Sequence, residues 1–211
     1  MRDRRLPALV LTSALSGCGA GDPAKPAAGA GTIEERGGAW LSAMTLEEKV
    51  DQMHGSSIAP VQGLYETPTN ERLGIPGFRM VDGPRGVRAN APATTFPVGS
   101  ARGATFDVDL ERAVGEAIGL ETAAQGGNVI LAPTINVLRH PRWGRAQETY
   151  GEDTWHVGEM GVAFIEGAQG HVLASAKHFA ANSIEDTRQT VDVTVDERSL
   201  REIFLAQFEK A

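Results

Sequence analysis

Residues 136–153 read NVLRHPRWGRAQETYGED, and this stretch decides the fold. Arg139, Arg142 and Arg145 stand among Pro141, Trp143, Gly144, Tyr150 and Gly151, a mixture without the periodicity of a helix or a strand. It follows an apolar run at 128–132 (NVILA) that has the composition of a buried strand. A polar loop bent by glycine and proline at the end of a buried strand is where α/β folds place their binding chemistry. Taken alone, the stretch can also be read as a surface loop kept soluble by its arginines, the weaker of the two readings.

Two further segments repeat the arrangement. Residues 78–81 (FRMV) end in Asp82-Gly-Pro-Arg-Gly-Val-Arg88, and residues 172–176 (VLASA) end in Lys177-His178-Phe179. Between them lie helical patterns. In the first, 109–125, Leu110, Ala113, Val114, Ala117 and Ile118 recur at helical spacing before Gly126-Gly127. In the second, 153–169, the inward stripe is Val157, Met160, Phe164, Ile165 and Ala168, with Gly170 as the stop. A last helix from about Asp196 would use Leu200, Ile203, Phe204 and Phe208. Upstream, Thr45-Leu-Glu-Glu48 is a capping-box pattern, opening a helix whose Leu46, Val50 and Met53 face is expected to cover an end or flank of the sheet. Residues 55–73 read as loop with a short helical turn, and 83–106 as one long loop. Alternating strands and helices imply an α/β fold with a parallel sheet, whose C-terminal loops converge on one pocket.

The formal charge of −7 argues against nucleic acid as a partner. No apolar run approaches the roughly 18 residues of a membrane span. His54, His140, His156 and His171 are scattered singly, without carboxylate or cysteine partners at ligand spacing, so neither a metal site nor a cofactor is expected. No strand opens a phosphate-binding glycine loop, which weakens a nucleotide-binding reading. The N-terminus has the layout of an export signal: arginines at 2, 4 and 5, then an apolar run to Leu15. Leu15-Ser-Gly-Cys18 is similar to a bacterial lipoprotein cleavage box, with the chain's single cysteine where lipidation requires it. Residues 1–18 are therefore expected to be a lipoprotein-type signal peptide and 19–32 a flexible Gly/Ala/Pro linker. The protein would be exported to a bacterial periplasm or cell surface, touching the membrane only through a lipid on Cys18.

The segments 44–53 (MTLEEKVDQM), 74–88 (GIPGFRMVDGPRGVR), 94–107 (TTFPVGSARGATFD), 136–153, 177–188 (KHFAANSIEDTR) and 191–211 together resemble glycoside hydrolase family 3, the β-glucosidase-like family. The resemblance covers 33–211, with the motifs in family order. It implies the N-terminal portion of a (β/α)8 TIM-type barrel, since a complete barrel needs about 250 residues and the chain has 211. It also implies a longer protein, in which further strands and a second α/β domain follow.

A sugar presents hydroxyls that both donate and accept, so holding one calls for carboxylates and cations. Asp82, at a strand end, suits two adjacent hydroxyls, although Asp-Gly-Pro is also a turn signature. The resemblance places Arg145, Lys177 and His178 on the sugar as well. Adjacent residues of an extended chain point to opposite faces, so Lys177 and His178 can share a ligand only if the backbone is distorted there. Glu148, three residues past Arg145, is expected to pair with an arginine and fix its direction; Arg142 and Trp143 would shape the loop. Arg85, Arg88 and Arg102 read as loop scaffolding.

Retaining hydrolysis needs two carboxyl groups about 5–5.5 Å apart. In the family, the nucleophile is the aspartate of a Ser-Asp-Trp-like motif on a later strand, and the acid/base comes later still. No aspartate here precedes a tryptophan. The expectation is that this chain carries no catalytic carboxylate, and alone is inactive and poorly soluble. Ala180-Ala-Asn-Ser183 lacks the histidine of the family's N-acetylglucosaminidase branch, which favours β-glucosides or β-linked oligosaccharides, with β-xylosides or arabinosides next. A non-catalytic carbohydrate-binding surface lipoprotein is the alternative. In-frame coding DNA running on to a Ser-Asp-Trp-like strand separates the two.

Overall fold

The computed structural model describes residues 31–56, 64–89 and 91–211. The signal segment, Cys18 and nearly all of the linker therefore lie outside the described residues. The chain divides into two compact units, 1–43 and 44–211. The described part of the first is a helix, α1 (Ile33–Ala43), with Glu34 and Glu35 in its first turn, where acidic groups favour the helix dipole.

The second unit opens with α2 (Leu46–Asp51). Thr45 accepts from the Glu48 backbone N–H while the Glu48 side chain accepts from the Thr45 N–H, the reciprocal box read from the sequence. Its apolar face differs from expectation: Leu46, Val50 and Met53 are all exposed, Met53 at 85%. Nothing described covers that face. The Glu48 carboxylate instead grips Arg72, so the helix is attached through its polar side.

The sheet has four strands in the order β1 (Tyr65–Glu66), β2 (Arg79–Asp82), β3 (Val129–Leu131) and β4 (Leu173–Ala174). β2, β3 and β4 run parallel, in register Val81 opposite Ile130 and Ile130 opposite Ala174. A bridge between Thr134 and Lys177 carries the last pairing beyond the strands. β1 lies antiparallel to β2, inside a stretch whose sequence reads as loop; two residues are too few for a period-2 signal. The crossovers are α4 (Val108–Ala124) and α5 (Thr154–Ala168). Parallel strands in chain order with helical crossovers are part of a (β/α) barrel. The loop at 83–106 also contains a short helix, α3 (Gly99–Gly103). The C-terminal helix runs as α6 (Glu197–Ser199), a π-helical stretch (Leu200–Leu205) and α7 (Ala206–Lys210).

The core forms where the two crossover helices meet the sheet. Val81, Ile130, Ala132, Val114, Ile118, Phe164 and Ala168 make one apolar cluster. The α5 stripe is buried as its periodicity predicts. The α4 stripe is displaced: Leu110 and Ala113 are exposed, while Glu111, Val114, Gly115, Ile118, Gly119 and Thr122 are buried. The cause is backbone approach. A Cβ on Gly115 would stand 2.3 Å from the Phe164 carbonyl oxygen. One on Gly167 of α5 would stand 2.1 Å from that of Arg112. The helices meet along their glycines, so the small face of α4 turns inward rather than the face bearing leucine.

Candidate functional site

Three strand ends supply the site. Asp82 ends β2, Arg145 and Glu148 lie on the loop after β3, and Lys177 and His178 follow β4. Because the strands are parallel and adjacent, these residues reach the same edge of the sheet. Lys177 Nζ donates to Asp82 Oδ1 at 2.5 Å, a half-shielded ion pair bridging β2 and β4 over β3. Arg145 donates from Nε and Nη2 to the two oxygens of Glu148, at 2.9 and 2.6 Å. That two-pronged grip fixes the plane of the guanidinium and leaves Nη1 to meet His178 Nε2 at 2.6 Å.

The Lys177–His178 peptide bond is cis, and both side chains end in the one cluster, where an extended strand would have sent them to opposite faces. Asn136 holds the turn. Its Oδ1 lies 2.7 Å from the His178 backbone N and 3.0 Å from Nδ1, and its Nδ2 donates to the His178 carbonyl. Arginine can only donate, so Nε2 is the acceptor and Nδ1 carries the proton toward Asn136. Burial, and then the charges of Arg145 and Lys177, push the His178 pKa from 6.5 down to about 4. Burial alone would lower the pKa of Arg145, but its hydrogen bond to Glu148 and the neighbouring negative charge outweigh that and hold it above the ordinary value.

A pH dependence follows from His178. Its folded pKa lies below its unfolded one, so between them the unfolded chain binds the extra proton. The stability that the neutral imidazole contributes is complete above about pH 6.5 and disappears as pH falls through about 4. Urea midpoints of the full-length protein are expected to drop across that window by more than those of His178→Gln. Parallel curves for the two proteins would remove His178 as the source.

A cavity of about 230 Å³ opens between Asp82, Pro84, Arg85, Arg145, Gln147 and Glu148. One wall is a carboxylate paired to a lysine and the other a guanidinium paired to a glutamate. Such a cavity offers charge-assisted donors and acceptors together, which suits a polyhydroxylated ligand. Of the residues singled out in the sequence, Asp82, Arg145 and Glu148 line this cavity; Lys177 adjoins it through its pair with Asp82, and His178, bonded to Arg145, lines another cavity of about 360 Å³ with Asn182 and Arg188. Arg142 lies apart: it is exposed and lines a separate cavity of about 910 Å³ with His140, Trp143, Glu185 and Asp186. Arg102 is buried and paired with Glu111, whose place on the inward side of α4 no apolar periodicity marks. Asn136 was missed too, although a polar side chain just past a buried strand is a usable signal. Among the described residues, no group of His, Cys, Asp and Glu is placed to hold a metal ion, and no helix is long and apolar enough to cross a membrane.

Residues 45–211 match the family model described as the glycosyl hydrolase family 3 N-terminal domain. The chain is 40% identical over 177 residues to beta-glucosidase B of Emericella nidulans, covering 81% of this chain and 20% of that protein. It is 41% identical over 178 residues to a beta-glucosidase of Rhizobium radiobacter, covering 81% and 21%. Beta-glucosidase 3B of Thermotoga neapolitana, solved with alpha-D-glucose, superposes with a TM-score of 0.77 at 40% identity, over 81% of this chain and 26% of that one. The chain thus spans about a fifth of the length of the curated relatives it matches.

Proposed function

Given that the chain belongs to glycosyl hydrolase family 3, we propose that the full-length protein is an exported O-glycosyl hydrolase releasing terminal β-linked glucose. Residues 45–211 supply the half of the site that grips the sugar. The two carboxyl groups of a retaining mechanism belong to sequence outside this chain. The observation that carries the reading is the convergence of Asp82, Lys177, Arg145 and His178 from three strand ends onto one sheet edge.

In this reading Asp82 accepts from two adjacent hydroxyls and Lys177 holds the carboxylate in place through their ion pair. Arg145, aimed by Glu148, donates to another hydroxyl. His178, held neutral, accepts at Nε2 from Arg145 Nη1 and so aims that guanidinium together with Glu148; it meets a hydroxyl only where the sugar takes over that bond. These hydrogen bonds strengthen as positive charge develops on the ring, so they act on the transition state and not only on binding. The relatives named beta-glucosidases support glucose as the sugar. The test is hydrolysis of an aryl β-D-glucoside by the full-length protein, with the product's anomeric configuration followed by NMR. No turnover on β-glucosides, with turnover on β-xylosides, would move the assignment to a pentosidase. No turnover on any glycoside, with glucose still bound, would favour a carbohydrate-binding lipoprotein.

Export and anchoring are part of the same proposal, supported by the basic start, the apolar run and Leu15-Ser-Gly-Cys18. One acyl chain alone holds a protein only weakly to a membrane, and stable anchoring takes more than one. Cys18→Ser is expected to shift the protein from the membrane fraction to the soluble one. A variant that still sediments with membranes would place the anchor elsewhere.

A further inference from the structure

Beneath the 230 Å³ cavity lies a group of charged and polar side chains that the proposed chemistry does not use. Arg102, on α3, is 4% exposed, and Glu111, on α4, is fully buried. Arg102 Nη1 donates to Glu111 Oε1 at 2.9 Å, and Tyr150 Oη donates to the same oxygen at 2.7 Å. The other end of the guanidinium, Nη2, donates to the Pro84 carbonyl at 2.6 Å. The flat face of Arg102 stands 5.7 Å from the Tyr150 ring centroid and 6.0 Å from that of Phe164. An ion pair this deep in a small domain is an expensive arrangement, since desolvation can exceed the Coulombic gain.

The two ends of this group attach to the two walls of the cavity. Pro84 is two residues from Asp82, on the same tight turn. Tyr150 is two residues from Glu148, which aims Arg145. The backbone of α3 is seated directly on that second wall: a Cβ on Gly99 would stand 2.1 Å from the Glu148 carbonyl oxygen, and one on Gly103 would stand 2.0 Å from that of Tyr150. We propose that Arg102, Glu111 and Tyr150 are positioning residues that set the distance between the Asp82 wall and the Arg145–Glu148 wall, and so the fit of the sugar. The proposal rests on the sugar-holding reading above.

Arginine suits this place because its planar fork reaches two acceptors in different directions; a lysine ammonium is a point donor on a flexible stem. Removing a whole charge from the pair would leave its partner buried and unpaired, so alanine at Arg102 or Glu111 would chiefly unfold the protein. Tyr150→Phe is the cleaner probe. It keeps the ring and its contact with Arg102, and removes only the hydroxyl that joins the second wall to Glu111.

The experiment uses the full-length protein, with D-glucose as the probe and an aryl β-glucoside as the substrate. Tyr150→Phe and Arg102→Lys are compared with wild type and with Asp82→Ala. Fold is checked by near-ultraviolet circular dichroism and melting temperature. Misplacing a contact by about 1 Å costs up to about a hundredfold in rate. Both network variants should therefore weaken glucose binding and lower kcat/KM by about tenfold or more at 25 °C, while the protein remains folded. A purely structural network would lower the melting temperature and leave the glucose Kd and kcat of the folded protein unchanged, and that result overturns the inference. The Asp82→Ala arm separates the two levels. If it abolishes binding while the network variants bind normally, the inference alone fails. If it too binds and turns over normally, the sugar-holding reading fails with it.

Discussion

Asp82→Ala in the full-length protein is expected to lower kcat/KM on an aryl β-glucoside by about a thousandfold. A hydrogen bond to a charged group is worth about 1.5–3 kcal/mol, and a carboxylate can accept from two neighbouring hydroxyls. At about 1.4 kcal/mol per tenfold in rate, two such bonds account for roughly that factor. The substitution also strands Lys177, whose side chain is 15% exposed and whose ammonium pairs with Asp82. An unpaired ammonium beside Arg145 would disturb the cluster further. Asp82→Asn should fall between the two, because it keeps the shape and removes the charge. Loss in kcat as well as in kcat/KM would identify bonds that tighten in the transition state, whereas a rise in KM alone would mark uniform binding. Near-normal kinetics for Asp82→Ala would remove Asp82 from the sugar.

The effect could be anticipated from the sequence because the strand ends are legible there. The apolar runs at 78–81, 128–132 and 172–176 end within two residues of the observed strands β2, β3 and β4. Since polar residues follow each run, parallel pairing necessarily gathers them at one edge. The capping box at Thr45 and the glycine stop after α4 are likewise local chemistry, written in a few adjacent residues. What was not legible depends on partners distant in sequence. The inward face of α4 is chosen by glycines opposite Phe164 and Ala168, and no periodicity within α4 records that. Glu111 reads as a solvated helix residue until Arg102 and Tyr150 are brought to it from outside the helix. The shared direction of Lys177 and His178 runs against strand alternation. It came only from the family resemblance; the structure pairs Lys177 with Asp82 and His178 with Arg145.

The glycine contact between α4 and α5 makes the second large effect one of stability. Gly167→Ala replaces a residue that is poor in a helix with the best one, a gain of about 1 kcal/mol by propensity alone. At this position, however, the new methyl group would stand 2.1 Å from the Arg112 carbonyl oxygen and 2.7 Å from the Glu116 nitrogen. Both are backbone atoms of a helix, so no side chain can rotate aside; α4 and α5 must separate. Overpacking costs about 1–3 kcal/mol where side chains can adjust, and more where they cannot. A net loss of about 3 kcal/mol is therefore expected, against total stabilities of about 5–15 kcal/mol for a domain. Gly37→Ala in α1 is the control, because nothing lies within 4 Å of a Cβ there; it should be neutral or slightly stabilising. The readout is the urea midpoint of the full-length protein, with glucose binding measured on the folded fraction. Separation of the helices would also shift Glu111, next to Arg112 on α4 and bonded to Arg102 and Tyr150, so glucose binding on the folded fraction should weaken with it. A Gly167→Ala protein as stable as wild type would mean that the helices are not held at this spacing, and the glycine account of the buried α4 face would fall with it.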